Sequence, residues 1–390
     1  KAPARPITLM GVFVTFQSRR RDFGNNPPRQ AWRAADQEHT CDMKKTYIRA
    51  LDLRHGSVDL SHGGGGRAMV QLIGEVFGRA FDNEWLRRGD DGAVLPAPAP
   101  GERLVMATDA HVVSPLFFPG GDIGCLCVHG TINDVAVMGA RPLYLAASFI
   151  LEEGFPLAEL ARIVASMAAA AKAAGVPVVT GDTKVVEKGK GDGIFITTTG
   201  IGALPAGREI SGANARPGDT VIVSGSLGEH GMAIMARREN LAFESEIRSD
   251  TAALHGLIGA ALAAVPQTRV LRDPTRGGLA ATLNEIAQQS GVGIVLDEAA
   301  IPVDPQVAAA CEFLGLDPLN IANEGKLVAI CPAAAADALV AALRAHPLGA
   351  RAARIGEVIA DEHRFVQMKT AFGGRRMVDW LAGEQLPRIC

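Results

Sequence analysis

Apolar residues recur at spacings of three and four through Met69, Leu72, Ile73, Val76 and Phe77, directly behind the glycine run Gly63, Gly64, Gly65, Gly66. This spacing lays one apolar stripe along a helix, so a glycine turn is expected to open onto a helix. Short apolar runs bounded by turn residues read as strands: 104–108, 143–150, 176–180 and 194–202, then 220–224, 293–296, 326–331 and 353–358. Stretches of helical period lie between them. One holds Ile132, Val135, Ala136 and Gly139, and an Ala-rich one covers 157–174. Others cover 251–264, a segment opened by the turn 273–278 and running to Gln289, 305–314, and an Ala-rich run to Ala345. Strands and helices alternate along the chain, which predicts a mixed α+β (α/β) architecture.

The pattern breaks at 207–218, where Gly, Ala and Pro dominate. At 390 residues the chain also exceeds what one core ordinarily supports, so two domains are expected, 43–206 and 207–378, followed by a mobile tail over 379–390. Residues 1–42, with Arg19-Arg20-Arg21 and Asn25-Asn26-Pro27-Pro28, can bury little and read as a disordered or non-native extension ahead of Met43. Apolar residues at 48% supply ample core material, and 39 basic against 42 acidic residues leave no electrostatic footprint for nucleic acid or an anionic membrane. No run reaches the roughly 18–20 apolar residues of a membrane span. The six cysteines, at 41, 125, 127, 311, 331 and 390, are too irregular for a disulfide scaffold and fit the reduced thiols of a cytoplasmic protein.

The candidate chemistry is distributed. Gly63–Gly66 could cradle a phosphate at a helix N-terminus, but it matches neither the Walker spacing nor the dinucleotide fingerprint, and a structural loop explains it as well. Acidic residues recur at turns and strand ends: Asp90 and Asp91, Asp109, Asp122, Asp134, and Asp182 ahead of Thr183 and Lys184. Carboxylates converging on one sheet edge would hold Mg²⁺ against nucleotide phosphates; taken singly, each is as easily a helix cap or turn former. Cys125 and Cys127 lack a second ligand pair and read as buried hydrophobes, and His111 and His129 read as structural. Cys390 is a thiol on a Pro-Arg-Ile arm, either incidental or functional.

Six segments carry a resemblance over 48–390: 115–124, 133–140, 180–186, Asp273-Pro274-Thr275-Arg276-Gly277-Gly278, Asn323-Glu324-Gly325-Lys326 and Pro387-Arg388-Ile389-Cys390. Together they resemble the HypE family of [NiFe]-hydrogenase maturation proteins, within the PurM-like, AIR-synthase-related ATP-binding superfamily. The resemblance implies a homodimer whose N-terminal domains pair their sheets, with ATP and Mg²⁺ bound near the domain junction. It implies that the glycine turn, Asp91, Asp109, Asp122, Asn133, Asp134, Asp182 and Thr183 serve the nucleotide and its metal, the metal falling to Asp91, Asp122, Asp134 and Asp182. It places Lys184 and Glu324 at the reacting group and Cys390 as its carrier. The implied reaction is ATP-dependent dehydration of an S-carbamoyl group to a thiocyanate, with a HypF-type carbamoyltransferase and a HypC–HypD iron scaffold as partners. Ala110 departs from the family's glycine, and the turn has four glycines where the family has an interrupted pair. The alternatives are a small-molecule ATP-dependent synthetase or kinase of the superfamily, which would not need Cys390, and a nucleotide-binding scaffold.

Overall fold

The computed structural model describes residues 50–239, 246–381 and 388–389; the 1–42 extension and Cys390 lie outside the described residues. Asp59 caps a 3-10 turn over Leu60–Gly63 by accepting from the Ser61 amide, and the glycine run then enters α1 (Arg67–Leu72). The expected helix forms, but it widens to a π-helical turn over Ile73–Gly78 before α2 (Arg79–Phe81). Gly74 and Gly78 bracket the widened stretch, where missing side chains leave the α pitch weakly held.

The first sheet follows. Its elements are β1 (Arg103–His111), β2 (Phe117–Phe118), β3 (Gly121–Asp122), α3 (Ile123–Val137), β4 (Arg141–Glu152), α4 (Leu157–Ala174), β5 (Val178–Val186) and β6 (Ile194–Leu204). The strand order of the four-stranded sheet is β1-β6-β4-β5, with β4 and β5 parallel and the other pairs antiparallel. Leu126 and Ile132 of α3, with Leu160, Ile163 and Met167 of α4, cover one face and bury Leu145, Phe149, Ile194 and Ile196 beneath them. No described helix covers the other face: Leu104, Met106 and Ile150 stand on it exposed.

The second sheet is built from β7 (Asp219–Val223), β8 (Val270–Arg272), β9 (Gly293–Asp297), β10 (Val328–Pro332), β11 (Ala353–Ile359), β12 (Val366–Lys369) and β13 (Arg375–Met377). The helices are α5 (Glu229–Arg238), α6 (His255–Ala264), α7 (Gly278–Ser290), α8 (Pro305–Leu314) and α9 (Ala336–Arg344). The seven strands run β13-β12-β9-β11-β7-β10-β8. One core joins Leu279, Leu283 and Ile286 to Val223 and Ile294; a second joins Leu257, Leu339 and Leu343 to Ile222 and Ala329. That second core also takes Ala136 and Val137 from the end of α3, so one helix is anchored in both halves of the molecule.

Candidate active site

Helix α3 is the axis of the site. At its start the Asp122 carboxylate accepts from the amides of Gly124 (2.8 Å) and Cys125 (3.1 Å), a helix cap that occupies one oxygen. Cys125 and Cys127 turn their thiols back onto carbonyls of the same helical turn, and burial pushes both thiols up. Asp134 lies twelve residues further along, about 18 Å away at the α-helical rise, so within one chain the two carboxylates cannot share an ion.

Around the far end of α3 the structure gathers acids from both halves. Asp109, on the covered face of β1, sits over Gly130, with the buried His111 Nε2 3.3 Å from its carboxylate. A Cβ at Gly130 would stand 3.1 Å from that imidazole, so the close approach needs glycine. Burial, then repulsion from Asp273 and Asp109, raises Asp134 to about 7. Burial is also the main reason that Asp273 rises to about 6. Glu324 is buried and its carboxyl is pushed well above the usual range, first by desolvation and then by Asp273, Asp250, Asp109 and Asp134. Its Oε1 has no hydrogen-bond partner among the described residues.

The chain is held here by a strap, residues 249–254, lying along α3. Asn133 bridges the two, its Nδ2 donating to the Ala252 carbonyl (3.0 Å) and its Oδ1 accepting from the Leu254 amide (2.7 Å). The Asp250 carboxylate accepts from the amides of Glu324 (3.1 Å) and Gly325 (3.2 Å) and pairs with Lys326 (3.2 Å), which also pairs with Glu229 (2.8 Å). Desolvation works against the Lys326 charge, but Asp250 and Glu229 outweigh it and leave its pKa raised. One fixed cation therefore stands beside the crowded acids.

The other expected residues form a second group. Gly63 packs against Val185, whose backbone nitrogen would be 2.9 Å from a Cβ there, so the glycine turn lies on β5. Lys184 pairs with Asp182 at 2.7 Å and holds that carboxyl below its usual value. Both project from the uncovered face, while Thr183 is buried on the covered one. A cavity of about 150 Å³ adjoins them, lined by Phe77, Phe81, Leu86, Phe149 and Asp182 among others. Asp91 lies in an exposed loop ahead of β1. Asp182 and Asp109 thus occupy opposite edges and opposite faces of the sheet, about 14 Å apart across three strand spacings. The four-carboxylate set Asp91, Asp122, Asp134 and Asp182 is not assembled within the chain, and no group of three metal-binding side chains was found among the described residues.

Sequence reasoning missed Asp250, Asp273, Lys326 and His230. Asp273 and Lys326 lie inside two of the segments that carry the resemblance, a usable signal; Asp250 and His230 stand in no recognisable motif.

Comparison with known proteins places this geometry. AIR synthase related protein, N-terminal domain, matches residues 89–204, and AIR synthase related protein, C-terminal domain, matches 216–369. Carbamoyl dehydratase HypE of Cupriavidus necator is 71% identical over 89% of this chain and 99% of its own length; that of Escherichia coli is 49% identical over 86% and 99%. The chain belongs to the HypE family of carbamoyl dehydratases. The crystal structure of a hydrogenase maturation protein HypE in complex with ATP superposes with a TM-score of 0.82 at 50% identity, over 85% of this chain and 99% of that one. A HypE–HypF complex gives 0.70 at 50% identity, over 80% and 99%. Thiamine-monophosphate kinase from Stenotrophomonas maltophilia shares the fold alone, at 21% identity and a TM-score of 0.56. Membership in HypE, not in the kinases, is what the sequence identities discriminate. Among the described residues no helix is long and apolar enough to cross a membrane.

Proposed function

We propose that this chain carries a carbamoyl group on Cys390 and dehydrates it to a thiocyanate, R–S–C(=O)–NH₂ losing the elements of water to give R–S–C≡N. The product would supply the cyanide ligands of a [NiFe]-hydrogenase iron centre. The observation that supports it best is the water-poor Glu324 carboxyl, set among four other acids, with one oxygen unpartnered.

A thiocarbamate holds its oxygen and its nitrogen protons firmly, so both ends need help. Mg-ATP, when bound, supplies the phosphoryl group that lets the carbamoyl oxygen depart as phosphate. Burial first, then repulsion from neighbouring carboxylates (Asp273 and Asp109 on Asp134, Asp109 on Asp273), holds both acids towards the protonated form, a cost that a divalent ion beside them would relieve. Among the described residues no three side chains form a ready-made cation site, so Mg²⁺ would be held mainly by the nucleotide phosphates, with Asp109, Asp134 and Asp273 near it in place of the set that included the cap residue Asp122. Both nitrogen protons must leave: Glu324, in its ionised form, would accept one, and Lys184, in its neutral form, is the candidate acceptor for the other. Desolvation raises the basicity of Glu324 towards that task, and Lys326 orders the backbone on which it sits.

Lys184 would reach this centre from a second copy, because it projects from the face of its own sheet opposite to that of Asp109. The exposed apolar stripe of Leu104, Met106 and Ile150 on the same face supports a homodimer through that sheet. A HypF-type carbamoyltransferase would load Cys390, a HypC–HypD scaffold would receive the cyanide, and the setting is cytoplasmic. ATP turnover tests the reading. It should require a carbamoyl donor and vanish in Cys390→Ala; turnover that survives Cys390→Ala would identify a small-molecule synthetase, and none under any condition a scaffold.

A further inference from the structure

The last two described residues are not loose. The Ile389 side chain is 3% exposed and packs into the core of the first sheet's domain. The Arg388 carbonyl accepts from the Ser114 amide and from Arg238 Nη2, each at 3.1 Å, and Arg238 Nη2 also donates to the Ser114 carbonyl at 2.7 Å. The Arg388 guanidinium pairs with Asp192. Arg388 adopts a φ of 54°, a left-handed conformation that arginine keeps only when contacts hold it.

At the centre is His230, fully buried on α5. Its Nε2 lies 2.7 Å from the Ile389 carbonyl oxygen, which can only accept, so Nε2 carries the proton. Its Nδ1 lies 2.7 Å from Ser249 Oγ, and that hydroxyl accepts from the Thr251 amide at 3.1 Å, leaving its own proton for Nδ1. Each donor has one acceptor, and the tautomer is fixed. Burial keeps the imidazole neutral, in accord with that assignment. The Phe118 ring closes the pocket edge-on at 5.5 Å between centroids.

The strap makes this contact more than an anchor. Ser249, which holds His230, precedes Asp250, which holds the Glu324 and Gly325 amides and Lys326. Gly120 pins the strap from the other side: a Cβ there would stand 2.7 Å from both the nitrogen and the oxygen of Ser249. The seat of the C-terminal segment and the backbone of the proposed base are therefore held by consecutive residues of one segment, Ser249 and Asp250.

We propose that His230 is a positioning residue: its Nε2–H fixes the Ile389 carbonyl, seating the C-terminal segment, and the Ser249–Asp250 link sets that seat in register with Glu324. Ser114 and Arg238 complete the receptor from the two halves of the molecule. The place of this seat in catalysis rests on the reading of Cys390 as the carrier, but its existence does not.

The bond between Ile389 and Cys390 is the one whose carbonyl His230 holds, so carboxypeptidase can remove the terminal residue only when the seat opens. Release followed by intact mass on the full-length protein, without ATP or carbamoyl donor, reads the opening. His230→Ala should accelerate release about tenfold, the effect of losing one buried hydrogen bond, and His230→Gln, which keeps a donor near the Nε2 position, should stay within about threefold of the parent. Equal acceleration in both, or none in His230→Ala, would overturn the proposal. Should His230→Ala fail to fold, Arg238→Gln decides: faster release supports the receptor, and an unchanged rate overturns it. Failure to carbamoylate Cys390 would sink the proposed function and leave these rates untouched.

Discussion

Asp134 shows what burial, reinforced by neighbouring like charges, does to a single side chain. The folded protein holds its proton up to about 7, whereas the ordinary aspartate value is 3.8. Across that window the folded state binds more protons than the unfolded one, so the group's contribution to stability is full below about pH 4 and is lost as pH rises through 7. Asp134→Asn should therefore raise the melting temperature of the ligand-free protein by a few degrees at pH 8 and leave it nearly unchanged at pH 4. Thermal scans at the two values check this; an equal shift at both would contradict the charge argument. Mg²⁺ should mimic the substitution at pH 8. Glu324→Gln keeps the shape and removes the proton acceptor, so dehydration should slow about 10²- to 10⁴-fold while carbamoylation of Cys390 persists. Single-turnover mass analysis separates the two steps. At this scale the sequence revealed Asp109, Asp134 and Glu324 but neither Asp250 and Asp273 beside them nor the partners of any of these acids. Asp122 and Asp134 look alike in a one-dimensional string, yet one caps a helix and the other stands among buried acids.

Elements were legible where periodicity was strong. The Ala-rich run 157–174 becomes α4, and the apolar run 194–202 becomes the body of β6. Short or interrupted elements gave no usable period: α5 follows a left-handed Gly228 with two polar residues and a glycine, β12 and β13 are short, partly polar strands at a sheet edge, and β2, β3 and β8 have only two or three residues each. The helix expected from 251 begins only at His255, because residues 249–254 run as the strap and its hydrogen bonds go to Asn133, Glu324 and His230. That segment is set by tertiary contacts, which no local pattern encodes. Its tightest point is Gly325, where a Cβ would come within 1.8 Å of the Asp250 carbonyl oxygen. Gly325→Ala must push the strap off its seat. We expect a loss of about 2–4 kcal/mol in chemical denaturation, the range for a severe steric insertion. A variant as stable as the parent would show the strap to be loose.

For the whole molecule, the division of the site between two faces of one sheet is the organising fact. The sequence ordered Gly63–Gly66, Asp109, Asp182, Lys184 and Glu324 along a line, and the resemblance read them as one site. The strand order β1-β6-β4-β5 separates them, which sequence could not show because β6, the last strand of this sheet in chain order, inserts beside β1. In the proposed homodimer, a second copy docked by its own uncovered sheet face would restore a single site. Met106→Glu, at a position 71% exposed on that face, should then convert dimer to monomer in sedimentation and lower ATP turnover at least tenfold, while leaving the melting temperature within a few degrees. A monomeric parent would remove the argument for shared sites.

The central claim is chemical and concerns one atom, the sulfur of Cys390. The protein should be incubated with a carbamoyl donor system, then with Mg-ATP, and the mass of its C-terminal peptide followed. The account predicts a gain of one carbamoyl group on Cys390 and then an ATP-dependent loss of one water. A peptide whose mass never changes, under conditions where ATP is still consumed, would contradict it and make Cys390 incidental.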